Sequence, residues 1–151
     1  MLTSDFKEFA QLRRTNGVDY LMVGGYALAA HGHPSYTGDL DFWVGTDPLN
    51  AEKIIKTLND FGVSSANLTA KDFTAPNQTV QLGYPPRRID LLTGISGVDF
   101  RQCCERRLIV AVDGVDLSFI SLGDFKINRA AVEQPTDLAD LADLADLDSL
   151  R

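Results

Sequence analysis

Cysteine, long apolar stretches and positive charge are all scarce in this sequence of 151 residues. The only cysteines, Cys103 and Cys104, are neighbours, so their Cα atoms lie about 3.8 Å apart, closer than ordinary disulfide geometry prefers. We therefore expect two reduced thiols. Because neither a CxxC motif nor a matching histidine spacing accompanies them, the sequence argues against a zinc site.

No apolar run reaches the roughly 18 residues that a membrane-spanning helix needs, and the first residues lack the basic and apolar regions of a signal peptide. We therefore expect a cytoplasmic protein without membrane contacts. The net charge is −7, from 14 basic and 21 acidic residues. This balance argues against tight, non-specific binding of nucleic acid, which depends on neutralising phosphates with Lys and Arg.

Helical and strand patterns alternate along the chain, which predicts an α/β (α+β) fold with a mixed β-sheet flanked by helices. Helices are predicted over residues 4–15, 26–30, 48–61, 98–106 and 121–131, with one helical turn over 69–73. Strands are predicted over residues 18–23, 39–44, 78–84, 88–93, 108–112 and 115–119. Between the last two strands, Asp113 and Gly114 are typical of a type I′ hairpin turn.

The C-terminal segment differs from the rest because Asp-Leu-Ala triplets repeat from Asp137 to Leu147. Five Asp residues and one Arg give this end a net charge of −4. A period of three drifts around a helix of 3.6 residues per turn, so such a helix buries only part of its leucines on one surface. We predict a globular domain over residues 1–134 and an acidic low-complexity helix over 135–151. This helix is either docked by its first turns or bound to a partner protein.

The most informative feature is a glycine pair followed by two aspartates. Gly24 and Gly25 come directly after an apolar strand and before a helix. Asp39 and Asp41 lie at positions i and i+2 of a strand, so they share one face, while the other face is apolar. Aspartate is a poor strand former. Two of them on one face therefore need a reason, and Mg²⁺ binding is the strongest candidate because this ion prefers oxygen ligands.

Each part of this pattern also has a purely structural explanation. A glycine pair can be an ordinary turn, and Asp39 with Asp41 can be a pair at a loop edge or a calcium-like site. A third carboxylate, Asp90, can form a structural ion pair with Arg87 or Arg88.

Several other polar and aromatic residues fit structural roles best. His31 and His33 suggest a metal-binding pair, but the sequence offers no third ligand. They therefore fit a helix end and a loop better. Tyr20, Phe42 and Trp43 suit the core, although Trp43 shares the acidic face of its strand and could form the floor of a base pocket.

Together, these features resemble the signature of the polymerase-beta-type nucleotidyltransferase superfamily: hydrophobic-Gly-Gly, a short gap, then Asp-hydrophobic-Asp-hydrophobic. Residues 24–32 and 36–44 are similar to a small bacterial and phage branch related to the AbiEii-type toxins of abortive-infection and toxin–antitoxin systems. Residues 86–92 and 119–124 also resemble this branch. The resemblance spans roughly residues 17–140 and implies a single nucleotidyltransferase-fold domain.

The resemblance implies a two-metal active site. Asp39, Asp41 and Asp90 would be the catalytic carboxylates and would hold two Mg²⁺ ions when the nucleotide is bound. Asp90 would also help to deprotonate an acceptor hydroxyl. Gly24 and Gly25 would lie at a helix N-terminus, where a triphosphate can approach the backbone closely.

Three further residues are implied to bind the nucleotide: Thr37, Arg88 and Arg129. Arg88 is two residues from Asp90, hence on its strand face, and could contact a phosphate bidentately. Relatives often carry a basic cluster in the segment that matches residues 127–136, of which this chain keeps the positive charge of Arg129. Metal binding is therefore a firmer expectation than activity.

The sequence supports two leading hypotheses. The first is a Mg²⁺-dependent nucleotidyltransferase that moves a nucleotide from an NTP to a hydroxyl on RNA, protein or a small molecule, in a toxin–antitoxin or defence system. The second is a catalytically degenerate module of the same fold that binds nucleotide or a partner protein. A third, an antibiotic-modifying enzyme, usually needs an added helical domain, for which roughly thirty residues after the last hairpin are too few.

Overall fold

The computed structural model describes residues 4–32, 39–63, 68–84 and 87–132. Its six strands are β1 (Tyr20–Val23), β2 (Leu40–Val44), β3 (Thr79–Tyr84), β4 (Arg87–Leu92), β5 (Leu108–Val112) and β6 (Val115–Phe119). Its α-helices are α1 (Ser4–Thr15), α2 (Gly24–Ala30), α3 (Pro48–Asp60), α4 (Phe100–Glu105) and α5 (Leu122–Val132), and a 3₁₀ turn covers Ala70–Phe73.

The strands form one mixed sheet in the order β3-β4-β2-β1-β6-β5. Two antiparallel hairpins, β3–β4 and β5–β6, occupy its edges. The central strands β1 and β2 are antiparallel to each other, and each pairs in parallel with one hairpin, β1 with β6 and β2 with β4. This topology confirms the α/β (α+β) fold that the sequence predicts.

Every element predicted within the described residues is present, and its ends differ by a few residues. Strand β1 begins at Tyr20 instead of residue 18 because the Val18 N–H donates to the Arg13 carbonyl and so helps to close α1. Helix α2 begins at Gly24, directly after β1, two residues earlier than predicted.

Local sequence signals set the other helix starts and turns. The Asp47 side chain accepts a hydrogen bond from the Asn50 N–H (3.1 Å) and caps α3, whose first residue is Pro48. The hairpin turn has positive φ at both central residues, +52° at Asp113 and +79° at Gly114, as a type I′ turn requires.

Helices α1 and α3 cover the apolar face of the central sheet. Leu40, Phe42 and Val44 of β2 are buried there, and the ring of Phe42 lies 5.2 Å from that of Phe9 in α1. The α3 residue Ile54 is buried beside them. The strand alternation that the sequence predicts for β2 is therefore present.

The opposite face of β2 carries Asp41 and Trp43. Trp43 is buried and packs edge-on against Phe100 of α4, with ring centroids 5.1 Å apart. This packing favours the core role of Trp43 over a base pocket. Asp41 is half-buried on the same face, so it lies near solvent while the tryptophan fills the interior.

Three sequence predictions concern residues outside the described ranges: the C-terminal helix over 135–151, with its domain boundary after 134, the nucleotide contact of Thr37, and the loop position of His33. Within the described ranges, no helix is both long and apolar enough to cross a bilayer.

Candidate functional site

Three aspartates predicted from the sequence meet at neighbouring strands. Strands β2 and β4 run parallel in a register that places Asp41 beside Asp90. Register partners in adjacent strands point to the same face of a sheet, and the two carboxylates lie close enough for their charges to interact. Asp39 comes directly before β2 and faces the start of β4, where one of its oxygens accepts the Arg88 backbone N–H (3.2 Å). The structure thus brings all three carboxylates together.

The Arg88 side chain contacts two of these carboxylates. Its Nε donates to Asp90 Oδ1 (2.8 Å) and its Nη2 to Asp90 Oδ2 (3.1 Å), which makes a bidentate pair. The same Nη2 lies 3.4 Å from Asp39 Oδ2. Of the two arginines that the sequence offered as partners of Asp90, the ion pair here is formed by Arg88.

The carboxylates outnumber the positive charge beside them. Burial raises the pKa of Asp41 to about 6, with further contributions from the charge and hydrogen bond of Asp90 and the charge of Asp39, while Arg88 acts in the opposite direction. With Asp39, Asp41 and Asp90 ionised beside Arg88, the cluster has a net charge of −2. Such an excess of negative charge on oxygen donors suits a divalent cation. Across the described ranges, however, no three His, Cys, Asp or Glu side chains already form a metal-binding cluster.

The lack of a side chain at Gly24 allows the Asp41 carboxylate to lie directly against the backbone of residue 24. Its φ is +71°, a left-handed conformation that suits glycine. A Cβ at this position would overlap Oδ2 of Asp41. The sequence predicts that a triphosphate approaches the backbone closely at this glycine. In this structure the side chain of Asp41 makes that close approach. Gly25 follows it in the first turn of α2.

A cleft of about 310 Å³ opens next to Asp41. Gly24 and Asp41 line it, together with Asn128 and Arg129 of α5. The guanidinium carbon of Arg129 lies 4.9 Å above the centre of the Phe125 ring. Arg129, which lies far from the glycine and aspartate motifs in the sequence, is thus brought to the same site.

The cleft has walls that the sequence patterns do not reveal. Ile95 and Ser96, from the loop after β4, line it together with Asn128. The Asn128 amide donates to the Ser96 carbonyl (2.9 Å), which ties α5 to that loop. None of these three residues belongs to a motif, so no signal in a single sequence could identify them.

An ion pair between a half-exposed arginine and a buried aspartate anchors α5 beside the site. The Arg106 guanidinium contacts both oxygens of Asp124, at 2.9 and 3.0 Å. Ser121 Oγ accepts the Asp124 N–H (3.1 Å), as an N-cap side chain does, and the same hydroxyl donates to Asp124 Oδ2 (2.9 Å). The Ser-x-x-Asp spacing is the sequence signal that could have predicted this cap.

The histidine prediction can be examined at one of its two positions. His31 ends α2, and its Nε2 lies 2.8 Å from the Ile120 carbonyl oxygen. This contact supports the helix-end role for His31, while His33 lies outside the described residues.

No family model and no curated protein matches this sequence. The structure is similar to the crystal structure of a Thermotoga maritima protein whose own assignment as a nucleotidyltransferase is provisional. The TM-score is 0.58 and the sequences are 14% identical, over 100% of this chain and 97% of that chain. At this identity the similarity concerns the fold alone. The chain therefore has a nucleotidyltransferase fold, as its glycine and aspartate motifs predict.

Proposed function

We propose that this protein is a Mg²⁺-dependent nucleotidyltransferase that moves a nucleotide from an NTP to a hydroxyl on RNA, protein or a small molecule. The observation that carries the proposal is the convergence of Asp39, Asp41 and Asp90 on one face of adjacent strands. They lie in a nucleotidyltransferase fold, beside a cleft of about 310 Å³.

The carboxylates would hold the metal. Asp39, Asp41 and Asp90 offer only oxygen donors, and together they carry more negative charge than Arg88 offsets. When bound, two Mg²⁺ ions would polarise the reacting phosphate and steady the leaving pyrophosphate.

The remaining site residues would bind the nucleotide and move the proton. Arg88 and Arg129 would face the phosphates, with Gly24, Gly25 and Thr37 lining their approach. Asp90 would accept the proton of the acceptor hydroxyl. The acceptor oxygen would then bond to the α-phosphorus, and the bond from that phosphorus to the pyrophosphate oxygen would break.

We also propose a role in a toxin–antitoxin or defence system, in a branch related to the AbiEii-type toxins. The resemblance of residues 86–92 and 119–124 to this branch supports it. Strand β4 carries Arg88 and Asp90, and residues 119–124 end β6 and cap α5 through Ser121 and Asp124.

The direct test is nucleotide transfer. The purified chain is incubated with each α-labelled NTP, Mg²⁺ and total cell extract, and label is sought on RNA, protein and small molecules. The Asp39→Asn/Asp41→Asn double variant should lose transfer, while Glu52→Gln, an exposed position on α3, should keep it.

The same variants separate the enzyme from a degenerate binding module. Thermal stabilisation by Mg²⁺–NTP without labelled product, under conditions where a known nucleotidyltransferase is active, would indicate the binding module instead. Absence of both stabilisation and transfer would contradict the proposed function.

A further inference from the structure

Resting on the proposed function, we propose that Arg88 is an exchangeable counterion: it holds the site carboxylates together in the absence of metal, and it moves to the phosphates when cation and nucleotide bind. The sequence resemblance assigns Arg88 a phosphate contact alone. The structure adds a second set of partners, because its side chain and its backbone N–H contact Asp39 and Asp90.

Arg88 engages the oxygens that a metal would need. Both oxygens of Asp90 accept from its guanidinium, at 2.8 and 3.1 Å. Of the two Asp39 oxygens, Oδ1 accepts the Arg88 backbone N–H and Oδ2 lies 3.4 Å from Nη2. A cation shared by Asp39 and Asp90 therefore competes with the Arg88 side chain for the same lone pairs.

Charge makes this competition severe. A guanidinium stays protonated in proteins, so it cannot release its charge to admit a metal. A divalent cation and a guanidinium bound to the same two carboxylates would repel each other strongly at such short range. Metal binding therefore requires the side chain of Arg88 to leave Asp90 and Asp39.

The displaced side chain has room to move and a suitable new partner. About a quarter of the Arg88 side chain is exposed to solvent (26%), compared with 9% for the side chain of Asp90. Arg88 is therefore the partner that can move without leaving a fully buried position. Its planar fork matches phosphate as well as carboxylate. A triphosphate bound with the metal would replace Asp39 and Asp90 as the partner of the Arg88 guanidinium. Arg88 would therefore exchange one anionic partner for another and would not be left unpaired.

A purely structural ion pair predicts the opposite effect on metal affinity. If Arg88 only orients the carboxylates, its removal misplaces them and weakens cation binding. If Arg88 competes with the cation, its removal strengthens binding of the cation alone but weakens binding of the metal–nucleotide complex. This reversal of sign distinguishes the two roles.

The test is calorimetric titration of the full chain with Mn²⁺ alone, and then with an NTP analogue that cannot be cleaved, at saturating Mn²⁺. Arg88→Ala should bind Mn²⁺ about tenfold more tightly than the wild type and the analogue about tenfold more weakly. Arg101→Ala is the matched control, because Arg101 is an exposed arginine paired with Asp19 and Asp47 outside the site; it should change neither affinity. Arg88→Gln, which keeps a donor without the charge, serves if the alanine variant does not fold.

Equal or weaker Mn²⁺ binding by both Arg88 variants would overturn this proposal, even if the wild type transfers nucleotide and the proposed function holds. Tighter Mn²⁺ binding with weaker analogue binding would support the exchange, even if no acceptor is ever labelled and the proposed function fails. Failure of all variants to bind Mn²⁺ would overturn both.

Discussion

Gly24 lies directly against the carboxylate of Asp41, so closely that a Cβ on residue 24 would overlap the Asp41 Oδ2 atom. The glycine comes directly after β1 and opens α2, and the aspartate lies on the neighbouring strand β2. The two halves of the sequence motif are therefore in contact. The absence of a side chain at Gly24 leaves the space that the Asp41 carboxylate occupies.

Replacing Gly24 with alanine should destabilise the protein by about 3 kcal/mol, because it adds left-handed strain and a collision with Asp41. Gly62→Ala is the matched control: Gly62 also has a positive φ, +89°, but among the described residues its Cβ would have no neighbour within 4 Å. Gly62→Ala should lower the free energy of unfolding by about 1 kcal/mol, from backbone strain alone. Urea denaturation of both variants measures the difference, and equal costs would contradict the predicted collision.

The Asp41→Asn variant should be more stable than the wild type at pH 8 in EDTA. The pKa of Asp41 is raised from its ordinary value of 3.8 to about 6, chiefly by burial and then by Asp90 and Asp39. The folded protein thus holds this proton more tightly than the unfolded chain does. Between about pH 4 and pH 6, the contribution of Asp41 to the free energy of unfolding therefore falls as the pH rises.

At pH 8 we expect the free energy of unfolding of Asp41→Asn to exceed that of the wild type by about 1–2 kcal/mol. This is less than the full change in the pKa of Asp41 would give, because solvent screens part of the effect. At pH 4 the two proteins should be nearly equal in stability. Urea denaturation at both pH values provides the measurement, with Glu52→Gln as an exposed control. An asparagine variant that is less stable than the wild type at pH 8 would refute the prediction.

The ion pair between Arg106 and Asp124 should contribute more to stability than an exposed one. Burial acts to raise the pKa of Asp124, but hydrogen bonds from Arg106, Ser121 and Cys103 hold it below its ordinary value. Arg106→Ala would leave the Asp124 carboxylate, whose side chain is only 4% exposed, without its cation. Lys56→Ala is the control, since the Lys56–Asp60 pair is much more exposed, at 65% and 37%.

Thermal unfolding at pH 7 should therefore show a larger drop in Tm for Arg106→Ala than for Lys56→Ala. A carboxylate with a lowered pKa stabilises the protein above its unfolded pKa, and this contribution is lost as the pH falls. The difference in Tm between wild type and Arg106→Ala should shrink towards pH 3. A difference that stays constant with pH would show that the charge pair is not its cause.

Cys103 should resist alkylation in the native protein. Burial, with the charge and hydrogen bond of Asp124, raises the pKa of Cys103 to about 12, and the side chain is fully buried. At pH 8 very little thiolate exists, and the thiolate is the reactive form. Iodoacetamide should label Cys103 at least about a hundredfold more slowly than a free thiol and at the normal rate in urea. Rapid labelling without denaturant would contradict this assignment, and mass spectrometry of peptides resolves Cys103 from Cys104.

Much of the fold follows from local sequence patterns. The Asp47-Pro48 start of α3 and the Asp113-Gly114 turn depend on neighbouring residues alone, so they could be recognised without a structure. The same holds for the shared face of Asp39 and Asp41, because strand side chains alternate with a period of two. Contacts within a few residues need no knowledge of the rest of the chain.

The partners of the site residues depend on how distant segments meet. Strand order and register place Asp90 beside Asp41 and carry Arg129 of α5 to the cleft. The pairing of Arg88 with Asp90 is local, between residues two apart on β4, but its contacts with Asp39 depend on how β2 and β4 meet. Pairings of this kind are set by the packing of the whole domain, which periodicity and turn chemistry do not encode. The amino-acid pattern therefore specified the helices, strands and candidate ligands, while the assembled sheet determined which charges face one another.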